Sequence, residues 1–146
     1  MNILVSACLL GVGCRHDGGS CGPNPNVAAL MECHTLIPVC PEQLGGLPTP
    51  RIPAERRGEL VATRDYRNVA EEFDRGAQET VNLARLYGCK YAILKEFSAS
   101  CGSGRIYDGT FHNRLTEGYG VTAALLTAYG VTVLGESQLP GYRFEE

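Results

Sequence analysis

Three short apolar runs set the terms for this chain, because each stops at a loop carrying one cysteine. Asn2–Ser6 leads into Ser6–Ala7–Cys8–Leu9–Leu10–Gly11, Thr35–Val39 into Cys40–Pro41–Glu42, and Lys90–Lys95 into Ser98–Ala99–Ser100–Cys101–Gly102. Runs this short and this rich in branched residues read as strands buried on both faces. Cys40–Pro41 makes a firm stop, since proline brings no N–H to a ladder and restricts the residue before it to extended backbone. Pro38, inside the second run, is unusual for a central strand.

Helical segments lie between the runs. Asn24 or Asn26 caps a first helix covering Val27–Met31, which ends near Cys33–His34. Val69, Phe73, Ala77, Val81 and Ala84 recur at helical spacing, Asn68 and Glu71 have the spacing of a capping box, and Gly88 is placed to stop the segment. A long helix over Val69–Tyr87 follows. A last helix spans Val121–Tyr129, closed by Gly130, before a fourth strand over Val131–Leu134. Leu60–Thr63 reads as a short edge strand or as the end of the Pro/Gly excursion that starts at Cys40. Strands alternating with helices predict an α/β fold: a single Rossmann-like domain over residues 1–146, with a mostly parallel sheet of four to five strands flanked by helices.

The charge balance narrows the partners. A net charge of −3 opposes a large nucleic-acid interface, which needs clustered Lys and Arg, while leaving room for a single nucleotide. No window approaches the ~18 apolar residues of a membrane span. No basic, then apolar, leader opens the chain, so a cytoplasmic protein without a membrane partner is expected. Seven cysteines are many for a reducing compartment, where structural disulfides rarely persist; they are buried thiols, metal ligands or reactive groups. The glycine-rich Gly11–Val12–Gly13–Cys14–Arg15–His16 lacks the third glycine of a dinucleotide fingerprint.

In an open parallel sheet, sites form beyond the carboxyl ends of the strands. Cys8, Cys40 and Cys101 all fall there, too far apart in sequence for a local chelating motif, so the sheet must gather them. Three thiolates on one patch suit an iron–sulfur cluster or zinc, whereas a single cysteine beside an apolar run is ordinarily a small buried hydrophobe. Cys14 and Cys21, near Arg15, His16 and Asp17, read as a disulfide pair, further ligands or incidental thiols. Cys33 and Cys89 sit at helix ends and read as structural. Glu42 is either a solvated loop carboxylate or a general base, and Asp17 carries the same ambiguity. Ser98 and Ser100 either donate to a substrate ring or bond their own backbone. His16, His34 and His112 show no ligand spacing and read as loop residues.

Taken together the motifs resemble the thiouracil desulfurase family. The likeness rests on Cys8–Leu9–Leu10–Gly11 with Cys14–Arg15–His16–Asp17–Gly18, and on Val39–Cys40–Pro41–Glu42–Gln43–Leu44–Gly45–Gly46–Leu47–Pro48–Thr49–Pro50–Arg51. Ser98–Ala99–Ser100–Cys101–Gly102 and the Gly120–Leu126 helix start add to it, and the match runs to about Leu134. Ala99 stands where the family usually has proline, and His16 where Tyr is common. The resemblance implies a 4Fe-4S cluster on three cysteines, capture of the sulfur of a thiolated pyrimidine, oxygen from water and release of sulfide, with no electron donor. Carried over residue by residue, Cys8, Cys40 and Cys101 are the metal ligands. Glu42 is the water-activating base or proton relay, with Ser98 and Ser100 positioning the ring; Ser100 is taken as catalytic with Glu42, and Asp17 as substrate-binding with Ser98. Two other classes stay open: a small zinc or thiol-redox binding protein without desulfurase activity, and a non-catalytic nucleotide-binding module.

Overall fold

Side chains branched at Cβ pack well on a pleated surface, and the runs rich in them all become strands. The computed structural model describes Met1–Glu146. Along the chain run β1 (Asn2–Ser6), α1 (Pro25–Ala29), β2 (Thr35–Val39), α2 (Pro41–Leu44), the hairpin β3 (Ala54–Arg57) and β4 (Leu60–Thr63), and α3 (Ala70–Leu86). Then come β5 (Tyr91–Leu94), the hairpin β6 (Ser103–Tyr107) and β7 (Leu115–Tyr119), α4 (Val121–Ala128) and β8 (Thr132–Gly135). Four strands form one sheet in the order β2-β1-β5-β8, and every pairing in it is parallel. Leu4 stands opposite Ile37 on one side and Ala92 on the other. The chain steps outward from β1 to β2, then crosses back to β5, so the strand order reverses at β1, where open sheets form a crevice.

Successive residues of a strand point to opposite faces, and the core divides accordingly. Leu4, Ala92 and Leu94 pack with Val81 and Ala84 of α3 and Ala123 and Leu126 of α4. Ile3, Val5 and Ile93 pack on the other face with Val27 and Leu139. Each of these strand side chains is fully buried, worth about 1.5–3 kcal/mol for every Leu, Ile and Val. Pro38 is accommodated because β2 is an edge strand, where a missing N–H leaves no ladder partner unpaired.

Helix ends follow local chemistry with one exception. Asn24 Oδ1 accepts the N–H groups of Asn26 and Val27 at 3.0 and 3.2 Å, with Pro25 in the first turn. At α3 the capping box is incomplete: Asn68 Oδ1 accepts the Ala70 N–H at 3.0 Å, and the entry is instead anchored by the Val69 N–H on the Val61 carbonyl at 2.8 Å. Leu60–Thr63 is not an edge strand of the main sheet. It pairs antiparallel with β3 as a separate two-stranded ribbon, because the Pro-rich segment before β3 carries the chain away from β2. No helix is long and apolar enough to cross a membrane.

Candidate active site at the strand ends

Each of the three strand-end cysteines is placed by a different local device. Cys8 sits in a single 3-10 turn, Ala7–Leu10, that continues β1 and closes on Gly11 at φ 97°. The Cys21 N–H donates to the Cys8 carbonyl at 2.9 Å, folding the glycine-rich loop back over it. Cys40 is the residue before α2, held at φ −126° and ψ 101° as proline at the next position requires. Cys101 lies in the turn after β5, where Ser98 Oγ accepts its N–H at 2.7 Å and the Ser98 carbonyl accepts the Gly102 N–H at 2.9 Å.

The three open onto one cavity of about 420 Å³ over the carboxyl ends of β1, β2 and β5, and Cys14 lines it as well. Its size falls within the range of small-molecule sites. Burial pushes the Cys101 thiol up to about 11, against the opposing hydrogen bonds of Ser6 and Ser100. Burial, then the neighbouring Cys40, pushes Cys14 up to about 12. Burial raises Cys8 furthest, followed by the charges of Cys21, Cys101 and Cys14. Cys8, Cys14 and Cys101 are therefore held as neutral thiols, and binding a cation through them would release protons.

Glu42 is half-buried at the cavity wall on α2. Its Oε1 accepts Arg51 Nε–H at 3.0 Å, and its Oε2 accepts the Ser100 hydroxyl at 2.8 Å. Ser100 Oγ lies 3.6 Å from Cys101 Sγ and 3.3 Å from Ser98 Oγ. A carboxylate, two hydroxyls and a thiol thus form one chain of contacts across two loops. On the far wall the two hairpins are locked together, since Glu55 Oε1 accepts the N–H groups of Gly109 and Phe111 at 3.0 and 3.1 Å. Arg64 lies over the Phe111 ring at 5.7 Å, and Lys95 pairs with Glu136 at 2.8 Å.

The structure brings Cys8, Cys40, Cys101, Glu42, Ser98 and Ser100 to the same cavity. Asp17 is not among them: it is exposed, and its Oδ1 accepts the Gly19 N–H at 2.8 Å in a local turn. All seven cysteines are free, so Cys14 and Cys21 are not a disulfide; Cys33 is exposed and holds no core together. His16, read as a loop residue, lines the cavity, as do Arg51, Lys95, Tyr107 and Asn113. Arg51 closes the proline-rich motif, so its position was on view in the sequence. Tyr107 and Asn113 had no such signal, because the β6–β7 hairpin that delivers them lacks an alternating apolar pattern.

The donor set fits an iron–sulfur cluster. Cys8, Cys40 and Cys101 around a common cavity suit a multi-iron cluster, whose irons take separate thiolate ligands.

Comparison with known proteins agrees. Residues 3–138 match the family described as 2-thiouracil desulfurase. An uncharacterized protein of Bacillus subtilis (strain 168), YbbK, is 40% identical over 147 residues, covering 94% of this chain and 97% of the relative. The solved structure of the [4Fe-4S]-dependent thiouracil desulfidase TudS aligns with a TM-score of 0.90 and 49% identity, over 95% of this chain and 93% of that one.

Proposed function

The chain belongs to the 2-thiouracil desulfurase family, and from that premise we propose that it desulfurates a thiolated pyrimidine, a 2-thiouracil-like base or a thiouridine nucleotide. Thiocarbonyl and water become carbonyl and hydrogen sulfide. The carbon keeps its oxidation state, so no electron donor enters. Cys8, Cys40 and Cys101 would hold the 4Fe-4S cluster. What the cluster supplies when bound is a thiophilic Lewis acid beside the substrate sulfur.

The observation that carries the reading is the Ser100 Oγ–Glu42 Oε2 hydrogen bond of 2.8 Å, set on the wall of the cavity that the three thiols line. A carboxylate in hydrogen-bond reach of the reacting water takes its proton as the oxygen attacks. Oε1 is committed to Arg51, so Oε2 is the atom that receives it, and the Ser100 hydroxyl can pass it onward to the departing sulfur. Ser98, with its hydroxyl between the Cys101 N–H and Ser100, fixes the loop and faces the ring. The seven free thiols support a cytoplasmic, reducing setting.

Anaerobic reconstitution with iron and sulfide, followed by incubation with 2-thiouracil and 4-thiouridine monophosphate, tests the reading. The expected result is uracil or its nucleotide with one equivalent of sulfide. A fully loaded cluster that turns over no thiopyrimidine refutes it, and zinc at about one per chain in anaerobically purified protein supports the binding-protein alternative instead.

A further inference from the structure

Arg51 reaches the loop after β1, the end of β2 and α2, yet it is neither a ligand of the centre nor a group that exchanges a proton. Its side chain is 7% exposed. Nε donates to Glu42 Oε1 at 3.0 Å; Nη1 donates to Thr49 Oγ1 at 2.9 Å and the Pro48 carbonyl at 3.3 Å. Nη2 donates to the Cys14 carbonyl at 2.9 Å and lies 4.0 Å from Cys40 Sγ. Its own backbone N–H donates to the His16 carbonyl at 2.7 Å. One guanidinium therefore joins the loop after β1, the end of β2 and the carboxylate of α2.

Resting on the desulfurase reading above, we propose that Arg51 is the positioning residue of the centre, holding Glu42 in its working orientation and presenting a cationic N–H to the sulfur of Cys40. Only a planar fork serves both ends at once, since a lysine offers a point charge on a flexible stem. With Oε1 pinned, the carboxylate cannot rotate, and Oε2 stays on Ser100 and the incoming water. An N–H directed at a ligand sulfur draws electron density from it, and hydrogen bonds to cluster sulfurs raise the reduction potential.

Arg51→Lys and Arg51→Gln, alone and in a Glu42→Gln background, test this in the reconstituted full-length enzyme. With iron and sulfide contents matching the native protein, kcat in Arg51→Lys falls about 10²-fold and KM changes by less than about threefold. In the Glu42→Gln background the same substitution lowers the residual rate by less than about threefold, because a residue that acts through Glu42 has nothing left to position. The midpoint potential of loaded Arg51→Gln moves negative. Losses that multiply in the double variant, an unchanged potential, or a variant that folds by circular dichroism but takes up no iron each overturn the proposal. Should native enzyme turn over no thiopyrimidine, the desulfurase reading fails separately, and the potential still reports on the Arg51–Cys40 contact. Arg51→Lys serves where Arg51→Gln does not fold.

Discussion

Replacing Gly76 by alanine changes a residue that touches nothing in the cavity, and the structure gives it a large effect. Gly76 lies in the middle of α3, buried against α2. A methyl there would overlap the Pro41 carbonyl oxygen, standing 2.8 Å from the Pro41 carbonyl carbon and 3.2 Å from the Gly45 nitrogen. Non-bonded carbons rest at about 3.5–4.0 Å, so α2 must retreat by roughly 1 Å. The approach is as close from the α2 side, where a methyl on Gly45 would overlap the Glu72 carbonyl oxygen. Helix propensity favours alanine by ~0.5–1 kcal/mol, but overpacking costs ~1–3 kcal/mol, and the steric term wins. The expected net loss is about 1–2 kcal/mol, a fall in Tm of roughly 3–7 °C for a chain of this size. Activity suffers more. Pro41 lies between Cys40 and Glu42, and a retreat of that size stretches the 2.8 Å Ser100–Glu42 contact beyond hydrogen-bond range. A misplacement of ~1 Å costs about 10²-fold in rate. Thermal melts and steady-state sulfide release with matched cluster loading measure both effects. A variant as stable as the native protein, with kcat within about threefold, would show that the contact between α2 and α3 does not set the position of Glu42.

The remaining expectations concern the site itself. Ser100→Ala removes the hydroxyl between Glu42 and Cys101; cluster absorbance stays and kcat drops by about 10²-fold, while equal activity at equal loading makes Ser100 loop scaffolding. Serine in place of Cys8, Cys40 or Cys101 lowers bound iron after anaerobic reconstitution, whereas Cys33→Ser, at an exposed position, keeps both iron and rate; full iron in any of the first three removes that residue from the ligand set.

Much of the site was legible because the features that mark it are local. Apolar runs ending at Cys8, Cys40 and Cys101 announce strand ends, and the parallel connection rule sends strand ends to one edge. The proline at position 41 fixes the backbone of Cys40 whatever lies around it. The order β2-β1-β5-β8, the detachment of β3–β4 as a ribbon and the existence of β6–β7 are non-local. Each depends on which surfaces find partners after the chain collapses, and Ser103–Tyr107 with Leu115–Tyr119 carries too few buried side chains to declare itself. Asp17 shows the same boundary from the other direction. Its motif neighbours Cys14, Arg15 and His16 line the cavity, but an Asx-type bond to Gly19 satisfies the Asp17 carboxylate in place, so the shared motif did not carry it into the cavity wall.

What the amino-acid order determined by itself is the four strands of the main sheet, the helices α1, α3 and α4, and the three thiols at strand ends, because short-range sterics and side-chain periodicity decide those. Only the tertiary structure decided that Arg51 joins Glu42, Cys14 and Cys40, and that Gly76 sets the depth of α2. Both rest on contacts between segments tens of residues apart, and no local pattern encodes the distance at which two such segments come to rest.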